Sequence, residues 1–387
     1  MPPQHLRIPG PTPLPDAVRE AGSEQMVGHR TEEFMELVGR CSRGMQPYFQ
    51  TANDVMILTS SGSGGLEAAV VSFLSPGDPV LTVAIGNFGE RFGKIAKAYG
   101  ADVTMLEFEW GQAADPGTVS EAIRQMIAAG RSPKAVQVTY NETSTGVMNP
   151  LPALAQAIRA AAPDTLILVD GVSALGAVPM EMDGWDLDVV VTGSQKAWMI
   201  PPGLAMVAAS DRAWQAAETA TMPRFYFDLV KHRDGIPKGQ TPWTPAVGIF
   251  FQLAVALDLM DAEGQEHVFA RHAAAAAAAQ AGLSAMDFEL FADQAHASHT
   301  VTSALVPEGV EWSTLNQQFR ANGLQLAGGQ GKMKGKIFRI GHLGDVTVDD
   351  IVTAIEIIEQ GSIAIGRDVE PGAGPAAARS AGEEVAS

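Results

Sequence analysis

Val189-Val190-Val191-Thr192-Gly193-Ser194-Gln195-Lys196-Ala197-Trp198 is a short apolar run that breaks into small polar residues and then presents one amine. The apolar part reads as a buried strand. A lysine just past such a strand is unusual, because the surroundings seldom tolerate a charge unless it is paired. Upstream, Leu166-Ile167-Leu168-Val169-Asp170 is a second apolar run, ending in a lone carboxylate. Further upstream, Val55-Met56-Ile57-Leu58-Thr59-Ser60 leads through Ser61-Gly62-Ser63-Gly64-Gly65 into a helical run that starts at Leu66.

These runs belong to a longer alternation. Strand candidates fall at 55–60, 80–85, 102–108, 135–140, 166–170, 188–193 and 204–209. Helix-like stretches at 66–74, 88–99, 118–129 and 151–161 separate the first five. Short β-branched runs alternating with helices predict an α/β fold with an open, mostly parallel sheet covered on both faces. Ligands in such sheets bind beyond the C-terminal strand ends, and all three features above lie at such ends. After Thr221 the pattern changes. Residues 222–245 are rich in Pro, Gly, aromatics and charge, and read as a long functional loop. Helices are expected at 246–261 and 266–282, then alternating signals to about 360, consistent with a small C-terminal α+β domain. The expected division is an N-terminal segment 1–20, a large domain 21–262, a small domain 263–365 and a flexible tail 366–387, whose Gly, Pro, Ala, Ser and Glu bury little apolar area.

Each feature has a bland reading. The glycine turn could be structural; it is neither a dinucleotide fingerprint, since Glu67 stands at the third glycine position, nor a Walker loop, since Gly-Lys-Ser/Thr is absent. Asp170 could cap a turn, and Lys196 could be solvated. Arg339, inside Ile337-Phe338-Arg339-Ile340-Gly341-His342, could be paired structurally, as could His342. Together they point to one chemistry. A glycine-rich helix start offers free N–H groups and a positive dipole end to a phosphate. A carboxylate keeps a pyridine nitrogen protonated, and a lysine of lowered pKa forms a Schiff base and then moves a proton. Those are the three protein groups that pyridoxal phosphate needs. Arg339 adds a fork suited to a substrate carboxylate.

The bulk numbers narrow the class. The 387 residues carry a net charge of −18 and are 46% hydrophobic, which allows a large core and argues against nucleic-acid or anionic-membrane surfaces. The single cysteine, Cys41, rules out an intrachain disulfide or a multi-cysteine metal site. No apolar run approaches the roughly 20 residues of a membrane helix, and the N-terminus does not read as a signal peptide, so a cytoplasmic protein is expected.

The motifs resemble the class V, fold-type I pyridoxal-phosphate aminotransferases of the alanine–glyoxylate, serine–glyoxylate and serine–pyruvate group. The resemblance runs from Pro9-Gly10-Pro11 to about residue 360, through Ser61-Gly62 with Leu66-Glu67-Ala68, Asn141-Glu142-Thr143-Ser144-Thr145-Gly146, Val169-Asp170, Gly193-Ser194-Gln195-Lys196, Pro201-Pro202-Gly203, Thr241-Pro242-Trp243-Thr244-Pro245 and Phe338-Arg339-Ile340-Gly341. It implies a mostly parallel seven-stranded sheet and a Schiff base at Lys196, with Asp170 on the pyridine nitrogen. Ser61, Gly62 and Ser63 would cradle the phosphate beside Gln195. Thr143 would bond the oxygen side of the ring, with Val172 on one ring face and Phe88 stacked on the other. Pro9 and Gly10 would lie along the substrate carboxylate, gripped by Arg339. A homodimer with shared active sites is implied, each subunit lending Thr241 and Thr244 to its neighbour's phosphate.

The expected reaction is ping-pong transfer of an amino group from alanine or serine to glyoxylate or pyruvate. Aspartate, an aminophosphonate or pyridoxamine as donor, a lyase reaction on the same scaffold, and a non-catalytic partner role are the alternatives. A desulfurase would need a cysteine in a late mobile loop, and Cys41 lies early. A dicarboxylic donor would need a second arginine, for which Arg30, Arg224 and Arg233 are candidates. His29-Arg30 is the further stretch that could reach the pocket.

Overall fold

The computed structural model describes residues 5–386; the expected N-terminal segment and tail therefore extend, at residues 1–4 and 387, beyond the described residues. Seven strands form the central sheet: β1 (Val55–Ser60), β2 (Pro79–Ala84), β3 (Asp102–Glu107), β4 (Ala135–Thr139), β5 (Leu166–Asp170), β6 (Val189–Gly193) and β7 (Gly203–Ala209), in the order β1-β7-β6-β5-β4-β2-β3. Only β7 runs antiparallel to its neighbours. All seven lie within a residue or two of the expected positions. They were legible because strands buried on both faces read as continuous apolar runs; every residue of β4, β5 and β6 is buried. The pleat sorts their side chains into two cores: Val55, Ile57, Ile167 and Val169 pack on one face, and Met56, Leu58, Leu166 and Leu168 on the other.

Helices α1 (Gly62–Phe73), α2 (Asn87–Ala98), α3 (Pro116–Ala128) and α4 (Leu151–Ala161) cover the sheet. α1 begins four residues before the apolar periodicity does, because its first turn is built of glycine and serine. Within 222–245, read as a loop, Leu229–Gly235 forms a short helix. The Asp228 side chain caps it by accepting the Val230 N–H at 3.1 Å, and Leu229 is fully buried. Next come α5 (Val247–Glu263) and the alanine-rich α6 (Gln265–Ser284). A small antiparallel sheet follows, of β8 (Val301–Leu305), β9 (Ala327–Gly328) and β10 (Ile337–Gly341), in the order β8-β10-β9. Helix α7 (Val348–Ala364) completes the third core with α6. The N-terminal segment crosses this region. His5–Leu6 pairs in parallel with Leu324–Gln325, and the Gly341 N–H donates to Arg7 O at 2.7 Å.

The tail corrects the expectation of flexibility. Residues Ala373–Ala386 form a helix, α8, with Gly374, Ala378 and Gly382 buried in one stripe at a spacing of four. A Cβ on Gly382 would come within 2.6 Å of Val348 and 3.2 Å of Ala278, and one on Gly282 within 3.1 Å of Ala378, so bare backbone lets α8 sit close on α6 and α7. The buried carboxylate of Glu359 holds the start of α8 by accepting the Gly372 and Gly374 N–H groups at 2.8 and 3.1 Å. Small residues score low in apolar area yet pack well when they meet other small residues.

Candidate active site

Strands β1, β5 and β6 end on the same edge of the sheet, and their last residues meet there. Ser61, Gly62, Ser63, Phe88, Thr143, Asp170, Val172, Gln195 and Lys196 line a single pocket. The chain after β6 is fixed by Ser194, whose hydroxyl donates to Pro201 O at 2.8 Å and accepts the Gly203 and Leu204 N–H groups at 3.1 Å. Trp198 Nε1 donates to Thr192 Oγ1 at 3.1 Å. Between these anchors Lys196 projects, and its Nζ donates to Pro9 O. Gly10 adopts φ +124°, and a Cβ there would lie 2.7 Å from Lys196 Nζ. Only glycine both takes that backbone conformation and leaves the amine room.

Burial pushes the Lys196 amine down to about 8; Arg339 and Arg91 push the same way, while Asp170 opposes them. Asp170 accepts the Val172 N–H at 3.0 Å, and burial raises its carboxyl to about 7. Gly62 opens α1 against Val172, where a Cβ would come within 2.6 Å of Val172 Cγ2. The floor therefore keeps free helix N–H groups within reach of an anion. Arg339 is nearly inaccessible and has no carboxylate partner among the described residues. Its Nη1 donates to Thr143 O at 2.9 Å, and its Nη2 and Nε donate to Gly328 O at 2.8 and 3.1 Å. Burial draws its guanidinium down to about 10.

Comparison with known proteins places this geometry. The model of the aminotransferase class-V family matches residues 8–335. The chain belongs to the class-V aminotransferases. It is 43% identical over 378 residues to a protein named soluble hydrogenase, small subunit, of Synechococcus, covering 96% of this chain and 97% of that one. It is 36% identical over 384 residues to the serine–glyoxylate aminotransferase of Methylorubrum extorquens, covering 97% and 95%. The solved structure of ureidoglycine–glyoxylate aminotransferase from Bacillus subtilis superposes with a TM-score of 0.93 at 29% identity, covering 99% of both chains.

A class-V aminotransferase works with pyridoxal phosphate, and the pocket fits that group. Two buried polar atoms lining it, Gln195 Oε1 and Asn141 Oδ1, have no hydrogen-bond partner among the described residues, as expected of groups that await a ligand. Lys196 lines the pocket with an amine, Asp170 with a carboxylate, and Ser61, Gly62 and Ser63 with hydroxyls and backbone N–H groups, the groups that would hold the cofactor. When bound, the cofactor supplies the electron sink for the substrate's Cα.

The structure adds residues that the sequence reading passed over. Asn141 Nδ2 donates to Ser173 Oγ at 2.9 Å and Thr300 Oγ1 at 3.0 Å, and Thr143 Oγ1 donates to Ser173 Oγ at 2.8 Å, a polar wall beside the ring site. Arg91 also lines the pocket. Neither Arg339, which sits behind Thr143, nor any of the proposed second arginines is among the residues lining it. Arg30 donates to Thr241 O at 2.8 Å, Arg224 to Val71 O at 3.1 Å, and Arg233 stacks over Trp214 at 4.4 Å. His342 is buried in structural bonds, with Nε2 2.9 Å from Thr302 Oγ1. Thr241 and Thr244 lie away from this pocket, beside Tyr226 and His232, and the Thr241 hydroxyl donates to Trp243 O at 2.7 Å.

Glu142 is the most consequential omission. Its fully buried carboxylate accepts the Phe88 and Gly89 N–H groups at 3.0 Å each, and the N–H and hydroxyl of Ser144 at 3.1 and 2.5 Å. It thereby satisfies the open start of α2 and fixes where Phe88 stands. The motif Asn141-Glu142-Thr143 was visible in sequence, but nothing local revealed that Glu142 points to a helix start 53 and 54 residues earlier. Glu142→Gln presents an amide donor to N–H groups and is expected to cost about 2–3 kcal/mol of stability. Urea unfolding would show this, and an unchanged midpoint would contradict it.

Proposed function

We propose that this aminotransferase moves the amino group of alanine or serine to glyoxylate or pyruvate in two half-reactions. Arg339 carries the argument. Three of its N–H donors are held by backbone carbonyls, which leaves two of the five that a guanidinium offers for a substrate carboxylate. The donor's α-carboxylate bound there would bring its amine toward Lys196. Lys196 would be the base that takes the proton from the donor's Cα onto Nζ and gives it back later in the half-reaction. Pro9 and Gly10, which lie against the Lys196 amine, would wall the carboxylate side. Arg30, Arg224 and Arg233 are engaged elsewhere, which favours short donors with a single carboxylate.

The same proposal includes a homodimer in which the partner subunit's Thr241 and Thr244 reach the phosphate. Phe225 and Tyr226 support it: they are 68% and 42% exposed and cluster on Trp243 next to the threonines, an apolar patch suited to an interface.

Arg339→Ala is expected to raise the KM for alanine or serine about a hundredfold, the worth of a charge-assisted bidentate contact. The pyridoxal-phosphate Kd should shift only a fewfold. Steady-state kinetics alongside a cofactor titration would check this. Equal losses in both would remove Arg339 from the carboxylate. A dicarboxylic donor such as aspartate is the second reading, and it rests on Arg91, the arginine that does line the pocket.

A further inference from the structure

We infer that Arg91 supplies the positive charge that holds the cofactor's phosphate, from within the same chain. A phosphate monoester carries nearly two negative charges at neutral pH. The cradle of Ser61, Gly62 and Ser63 offers hydroxyls and backbone N–H groups, all uncharged, on the positive end of α1. Two of the residues lining the pocket are cationic, Lys196 and Arg91, and Lys196 is committed to the amine chemistry. Arg91 is available. Among the described residues it forms no salt bridge, and its one polar contact is from Nη1 to Ser63 Oγ at 3.5 Å, at the cradle itself. One helical turn separates it from Phe88, and its guanidinium lies 4.6 Å over that ring. The stacking holds the planar fork in place before any ligand arrives. Arg339, by contrast, is held at Thr143 O and Gly328 O. The two arginines thus divide the labour: Arg91 serves the phosphate and Arg339 the substrate carboxylate. The sequence concealed this, since an arginine on a helix between Glu90 and Lys94 reads as solvated surface.

The inference rests on the pyridoxal-phosphate assignment and is independent of the choice of amino donor. Its test is to titrate cofactor-free wild type, Arg91→Gln and Arg91→Lys with pyridoxal phosphate and, separately, with pyridoxal, which lacks the phosphate. Arg91→Gln is expected to raise the pyridoxal-phosphate Kd about tenfold to a hundredfold and to leave pyridoxal binding unchanged. Arg91→Lys should fall between. Inorganic phosphate should compete with the cofactor in wild type and much less in Arg91→Gln. Equal weakening of both ligands would overturn the inference, because Arg91 would then be supporting Phe88 or the fold. An unchanged pyridoxal-phosphate Kd with a raised KM for aspartate would also overturn it, and would assign Arg91 to a donor's second carboxylate. Wild type that binds neither ligand would instead refute the cofactor assignment beneath it.

Discussion

Lys196→Ala is expected to lower kcat for transamination by at least about a thousandfold, because it removes the group proposed both as covalent anchor and as the base that moves the Cα proton. The fold should survive, since among the described residues the Lys196 side chain has a single hydrogen bond, to Pro9 O. The variant should still take up pyridoxal phosphate through the phosphate cradle, but borohydride reduction followed by mass spectrometry should find the cofactor attached in wild type and absent from the variant. Burial gives Lys196 its reactivity. With its amine lowered to about 8, roughly one molecule in ten is neutral at pH 7, against about one in a few thousand for an ordinary lysine. Covalent uptake of the cofactor should therefore accelerate as pH rises, with a midpoint near 8. A variant that keeps wild-type turnover would remove Lys196 from the mechanism.

Asp170→Asn is expected to have the second largest effect, about a hundredfold on kcat. Asparagine keeps the oxygen that accepts the Val172 N–H at 3.0 Å, so the turn after β5 should hold its shape. What disappears is the negative charge that would hold the pyridine nitrogen protonated and so keep the ring able to accept electrons. Asp170 also attracts a proton onto Lys196, against the effect of burial. Its removal should move the uptake midpoint below the wild-type value, toward lower pH. Both readouts can be taken on one preparation. Full activity with an unmoved midpoint would mean that Asp170 only caps its turn.

The parts of this molecule that the chain announces are those where neighbours in sequence are also neighbours in space. β5 and β6 are unbroken apolar runs ending in Asp170 and in the turn to Lys196, so both the strands and the groups they deliver could be read directly. The glycines at 62 and 64 marked a place of close backbone approach. Arg91, Glu142 and Ser173 were missed because their roles exist only across the fold. Arg91 depends on Ser63 and Phe88, Glu142 on the start of α2, and Ser173 on Asn141 and Thr143. The tail was misread for another reason. Its alanines and glycines bury little area each, and their fit against α6 and α7 depends on which face α6 turns outward. The arginines at 30, 224 and 233 show the converse. Each could have entered the pocket, and tertiary contacts engage each of them elsewhere.

The most direct test of the proposed donors is the visible spectrum of the pyridoxal-phosphate holoenzyme during addition of alanine, serine and aspartate, each alone, followed by glyoxylate or pyruvate. Alanine or serine is expected to bleach the band of the lysine-bound cofactor, the oxo acid to restore it, and aspartate to do little. Bleaching by aspartate alone, or a band indifferent to every amino acid, would contradict that expectation.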